Sequence, residues 1–148
     1  MSSYFLKFLS KGLSFSKIQL SPFSKFVTLT VLGIGIGISV NCNLGLGPWG
    51  VFHEGLSKRL GTTYGLALII TGLVVLSLWI PLKQKITIGT VICILWLGIV
   101  VDITMDNFET PEKLYLRILG VAIAILLIGI GTSIYVGAVS YTHLRAHE

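Results

Sequence analysis

The chain has 148 residues, of which 53% are hydrophobic and only 11% charged, with a formal net charge of +5. A soluble chain this short and this apolar has too little polar surface to cover itself, since soluble domains carry about 25% charged residues. Nor does the positive balance point to nucleic acid: Lys17, Lys25, Lys83, Lys85, Lys113 and Arg117 flank apolar blocks, as membrane helices need, and form no basic face with aromatics.

Residues 1–21 form a basic amphipathic segment, with Phe5, Leu9 and Leu13 on one helical stripe and Lys7 and Lys11 elsewhere. The pattern fits an interfacial helix or a frayed leader. It does not fit a cleaved signal peptide, because the apolar run starts late and no A-x-A site follows. Ser21-Pro22 then starts a helix that runs to Cys42, about 21 residues or about 31 Å, enough to cross the hydrocarbon. Further spans are expected over 65–82, where Pro81 and Lys83 mark the end, and over 86–105. A fourth, over 111–136, is capped by Thr110-Pro111-Glu112. Tyr115 and Tyr135 lie about 30 Å apart along that last helix, matching the two aromatic belts.

The expected fold is therefore an all-α membrane protein. It is a polytopic bundle of about four transmembrane helices within residues 22–138, with a short broken or interfacial helix after the first span. Residues 139–148, VSYTHLRAHE, are identified as a translated sequencing-adapter string and read as a non-native tail. That reading sets aside His143 and His147 and makes the chain a fragment. With the N-terminus in the cytoplasm, the inner side holds Lys7, Lys11, Lys17, Lys25, Lys83 and Lys85, against Lys58, Arg59, Lys113 and Arg117 outside. The excess of cations inside favours that orientation.

In span one, Gly33 and Gly37 form a GxxxG pair that lets another helix approach closely in lipid. The next stretch, Gly45-Leu-Gly47-Pro48-Trp-Gly50, matches GxGxxG literally, but it follows a membrane helix and opens no βαβ unit, so a dinucleotide site is excluded. What remains is a glycine-rich break before a short helix from Pro48 to Leu60, with Trp49, Phe52, Leu56 and Leu60 on one face. Broken helices of this kind form substrate sites in transporters, and a simple interfacial link is the plainer alternative. Gly35-Ile-Gly-Ile-Ser-Val-Asn41 resembles Gly129-Ile-Gly-Thr-Ser-Ile-Tyr135, 94 residues on and crossing the bilayer in the opposite sense. This is the pattern of an inverted repeat, of which the chain is one half. On a helical wheel Gly120 and Ala124 mark a close-packed face of the last span.

Asp102 is the single acid inside an apolar block, on the small-residue face of span three with Thr87, Ile94 and Gly98. Membrane acids face a bundle interior or water, or reach the interface when near a helix end. Asn41, Asn43, His53, Glu54 and Asp102 all gather toward the outer side and form the candidate polar site. One histidine and two acids lack metal-ligand spacing, so no metal is expected. Cys42 and Cys93 differ in depth by about 13 Å, too far for a disulfide. No nucleophile–base pair, acid dyad or phosphate loop is visible, so neither an enzyme nor a cofactor is expected.

The run NLGLGPWGVFHEGLSKRLGTTYG, followed by IPLKQKITIGT and GIVVD, resembles the bacterial YczE/YyaS/YitT family of membrane proteins, closest to its YczE branch, over about residues 30–138. GLGPW is the most specific part. The resemblance implies a multi-pass plasma-membrane protein whose second half would follow Ala138, in a family of largely unknown activity with some associations with antibiotic or lipopeptide production. It also implies an aspartate where this chain has Gly50, and often an asparagine where it has Cys93. The expected function is a small-molecule permease or exporter whose partners are the lipid bilayer and a small-molecule substrate. The alternative is a membrane accessory that scaffolds or regulates a biosynthetic enzyme.

Overall fold

A computed structural model describes residues 22–82 and 88–145, with side chains over 24–82 and 88–136. The amphipathic segment 1–21 lies outside the described residues, as do Lys83, Gln84, Lys85 and Thr87. Among the described residues the chain forms five helices and no strand: α1 (Pro22–Asn41), α2 (Pro48–Leu60), α3 (Tyr64–Ser77), α4 (Ile88–Asn107) and α5 (Leu114–Arg145).

Three stretches are long and apolar enough to cross a membrane: Ser24–Asn41, Ile88–Asn107 and Leu114–Val136. In lipid their few hydroxyls must find partners within the helix. Several do so: Thr28 and Thr30 donate to the Ser24 and Phe26 carbonyls at 2.8 Å, and Thr104 to Val100 at 2.7 Å. α2 and α3, bent by 108° at their junction, pass the same test only as a pair, as a broken span or a re-entrant loop.

Small residues set the packing. A methyl group added at Gly33 would lie 2.7 Å from the Val100 side chain, and one at Gly37 would lie 2.7 Å from Thr104. The GxxxG face of α1 thus seats α4. Gly35 faces the other way, where a methyl would meet Ile128 at 2.9 Å and the Ala124 carbonyl at 3.1 Å on α5. α1 is therefore sandwiched between α4 and α5, while α3 packs on α4 and α2 on α3. Ala124 is fully buried in this seam, and Gly120 meets Cys42, so the close-packed face of α5 finds its partner in α1.

The same contacts give the helix directions. Moving up α1 from Gly33 to Gly37, the neighbour on α4 advances from Val100 to Thr104, so these two run parallel. Along α5 the order reverses, with Gly131 against Leu32 and Gly120 against Cys42. α3 is antiparallel to α4, since Gly65 meets Gly98 and Gly72 meets Ile94. The end of α1, the start of α3, the end of α4 and the start of α5 consequently share one end of the bundle. Toward mid-bundle, Trp96 donates to the Thr30 hydroxyl at 3.0 Å and meets Phe26 edge-on.

Several boundaries differ from expectation, two of them by more than a turn or a cap. α3 stops at Ser77, not Leu82, and continues through i→i+3 bonds from Trp79 to Leu76 and from Ile80 to Ser77. Pro81 explains the stop, because it has no N–H to give the Ser77 carbonyl four residues back and its ring crowds that carbonyl. α5 starts at Leu114, not at the Thr110-Pro111 cap: the Lys113 carbonyl takes the first helical bonds, and Arg117 folds back to donate to the Pro111 carbonyl at 2.6 Å. Beyond residue 138 the backbone of α5 stays helical to Arg145, whereas the contacts of Tyr141, His143 and Leu144 lie outside the described side chains.

Candidate functional site

The break after α1 is built by residues that accept left-handed backbone. Asn43 has φ 49° and Gly45 has φ 119°, a value that strains any residue with a Cβ. Gly47 then caps α2 in extended geometry, with Pro48 in the first turn. Gly50 packs toward Leu46, where an added methyl would approach its Cβ at 2.9 Å. At the other end of α2, Gly61 is left-handed at φ 64° and donates to the Ser57 carbonyl, ending the helix. Thr63 caps α3, accepting from the Leu66 N–H at 3.2 Å. α2 thus turns sharply into α3 within three residues. If α3 crosses the bilayer, a bend of 108° lays α2 nearly along its surface. Its apolar face is open there, with Trp49, Phe52 and Leu60 all exposed.

Asp102 on α4 reaches the start of α3. Its carboxylate accepts from the Thr63 hydroxyl at 2.6 Å and from the Gly65 N–H at 2.6 Å. This is charge-assisted capping of a helix N-terminus, which anions favour. The contact is possible because Gly65 and Gly98 lack side chains: a methyl on Gly65 would fall 2.1 Å from the Gly98 carbonyl. The helix that Asp102 caps is α3, not the Pro48 helix. Its carboxylate therefore has a structural duty beside any functional one.

A cavity of about 340 Å³ opens at this junction. Glu54, Ser57 and Lys58 of α2, Thr62 and Thr63 of the link, and Tyr64 of α3 line one side. Val40 of α1 and Asp102, Met105 and Asp106 of α4 line the other. Lys58 pairs with Glu54 at 2.5 Å, and Ser57 donates to the Glu54 carbonyl at 2.9 Å.

Of the five polar residues singled out from sequence, the cavity brings together two, Glu54 and Asp102. Asn41 instead donates to the Met105 carbonyl at 2.8 Å and to that of Phe108, tying the end of α1 to that of α4. Asn43 lies exposed in the turn. His53 stacks on Trp49 with ring centroids 5.7 Å apart and meets Tyr64 edge-on at 5.8 Å. Burial in that aromatic group holds its imidazole below the ordinary pKa. Among the described residues, no three His, Cys, Asp or Glu side chains gather in a way that could hold a metal ion. Cys42 and Cys93 are both free thiols.

Sequence reasoning missed Thr63 and Tyr64, because the span was begun at Gly65. A threonine directly before an apolar run is an N-cap signal and would have placed the helix start one residue after it. Asp106 carried no comparable signal, since it sits where the apolar block ends.

Residues 23–143 match a family of unknown function (DUF6198). The chain belongs to that family. The match runs on through residue 143, into the segment read as a tail. An uncharacterised protein of Haemophilus influenzae is 32% identical over 107 residues, which cover 72% of this chain and 49% of that protein. The chain thus spans about half the length of the curated relative it matches. No solved structure matches it.

Proposed function

We propose that this member of the family is one half of a small-molecule permease or exporter of the bacterial plasma membrane, with its N-terminus in the cytoplasm. The observation that carries the reading is the α2–α3 break, where two helices bent by 108° open a carboxylate-lined cavity at one end of an apolar bundle. Irregular backbone and ionisable groups at membrane helices belong where they line a polar cavity. Discontinuous helices of this kind form substrate sites in secondary transporters. The antiparallel course of α1 and α5 supports the inverted repeat, and a relative of about twice the length leaves room for a second half. The GLGPW run and the YczE-branch resemblance belong to the same proposal.

The test is flux. This chain and its Haemophilus influenzae relative are reconstituted separately in proteoliposomes, and uptake of radiolabelled cationic, neutral and anionic small molecules is followed. Saturable uptake above empty vesicles, reduced in Asp102→Asn, is the expected result. If neither correctly inserted protein moves any member of the panel, the permease reading falls.

A further inference from the structure

The cavity between α2, α3 and α4 has a composition that selects its ligand. It carries three carboxylates, Glu54, Asp102 and Asp106, against one ammonium, Lys58, so its formal charge is −2. Lys58 is held by Glu54 at 2.5 Å. Asp102 is hydrogen-bonded only by neutral donors, the Thr63 hydroxyl and the Gly65 N–H, which orient its charge without cancelling it. An ionised carboxylate offers about four acceptor positions, so two remain to it.

Two hydroxyls at the same place lack partners. Tyr64 is only 6% exposed, yet its hydroxyl makes no hydrogen bond among the described residues. Thr62 Oγ1 is buried from solvent and has no partner either. Leaving a buried polar group unpaired costs about 1–3 kcal/mol, which applies to Thr62 Oγ1, whereas the Tyr64 hydroxyl is reached by solvent and open to a partner. Val40, Met105 and the Tyr64 ring supply an apolar wall, and the aromatic face also attracts cations.

We infer that this cavity binds a small primary amine in its ammonium form, with an apolar body. The ammonium brings three N–H donors to an excess of carboxylates and to the Tyr64 hydroxyl, which has free acceptor capacity. A metal ion is the weaker fit, because no three candidate ligands converge among the described residues. A volume of about 340 Å³ is at the small end of ligand pockets, which suits a body of roughly ten heavy atoms. The inference rests on reading the cavity as the substrate site of the proposed permease, and it names the substrate class.

Binding is measured on the full chain in zwitterionic nanodiscs, with empty nanodiscs subtracted. The probes are 2-phenylethylammonium, its neutral counterpart 2-phenylethanol and the anion phenylacetate. Saturable binding of the ammonium alone is expected. Asp106→Asn, an exposed position where no fold contact is lost, should weaken it about fivefold or more, the scale of one nearby charge in a partly hydrated site. Tyr64→Phe, which removes one oxygen, should weaken it about two- to tenfold. Equal binding of phenylethanol or phenylacetate overturns the inference, as do wild-type affinities in both variants. Selective ammonium binding without flux would sink the permease reading and leave the site standing. Flux of neutral or anionic solutes with no ammonium binding would do the reverse.

Discussion

Gly65→Ala tests the crossing on which the site depends. A methyl at this position would sit 2.1 Å from the Gly98 carbonyl oxygen and 2.6 Å from the Asp102 carboxyl carbon, where ordinary contact begins at 3.4 Å. The nearest atom is backbone and cannot rotate away, so α3 and α4 must part by about 1 Å. Parting them stretches the 2.6 Å bond from the Gly65 N–H to Asp102. Overpacking costs about 1–3 kcal/mol, and a weakened bond to a charged acceptor costs about 1.5–3 kcal/mol. The two effects share a site and do not add fully, so the expected loss is about 3–4 kcal/mol. Gly55→Ala is the control. Nothing lies within 4 Å of its added methyl, and within α2 it should be neutral or stabilise by up to about 1 kcal/mol. Reversible unfolding in mixed micelles, followed by tryptophan fluorescence, compares them. A Gly65→Ala protein within about 0.5 kcal/mol of wild type, the usual effect of an inert surface change, would refute the close crossing.

Thr63→Ala removes both the cap of α3 and a partner of Asp102, and should cost about 0.5–2 kcal/mol in the same assay, with Thr63→Ser restoring most of it. Asp102→Asn keeps the volume but loses the charge-assisted bonds, so a loss of about 1–2 kcal/mol should accompany its effect on flux; unchanged stability would mean that the capping contact is not made. Asn41→Leu deletes both bonds to the end of α4 and should destabilise by about 1–2 kcal/mol, whereas Asn41→Leu as stable as wild type would leave those carbonyls satisfied by other means. In a Cys42→Ala, Cys93→Ala background, a membrane-impermeant thiol reagent added outside should label Asn107→Cys and not Gln84→Cys; the opposite pattern would invert the proposed orientation.

Much of the bundle was legible because lipid imposes a simple rule: apolar blocks of about 20 residues become helices. Gly33 and Gly37 announced a close helix contact, and the Gly45–Pro48 run announced a break that the backbone angles of Asn43 and Gly45 now explain. What could not be read was how the polar residues divide at the shared end. Asn41 and Asp102 look alike in sequence, as polar groups at the edge of an apolar block. One ties carbonyls at the end of α4 and the other caps α3, and only the crossing of Gly65 with Gly98 brings that second pair together. His53 likewise sits one residue before Glu54 yet turns to the aromatic rings of Trp49 and Tyr64.

On either side of the central pair α1 and α4, the helices α5 and α3 are unequal in reach. The 23 residues Leu114–Val136 of α5 extend about 35 Å. The 14 residues of α3 extend about 21 Å, and three more in i→i+3 turns at about 2 Å each bring this to about 27 Å. A hydrocarbon layer of about 30 Å is thus too thick along one flank and too thin along the other. If α3 crosses alone, tilting of α5 and thinning of the lipid beside α3 take up the difference, and the molecule acts as a wedge in the sheet it occupies. Beside α3, compression brings headgroups and water toward the mouth of the cavity, and it shortens the distance that any polar solute must travel through oil to get there.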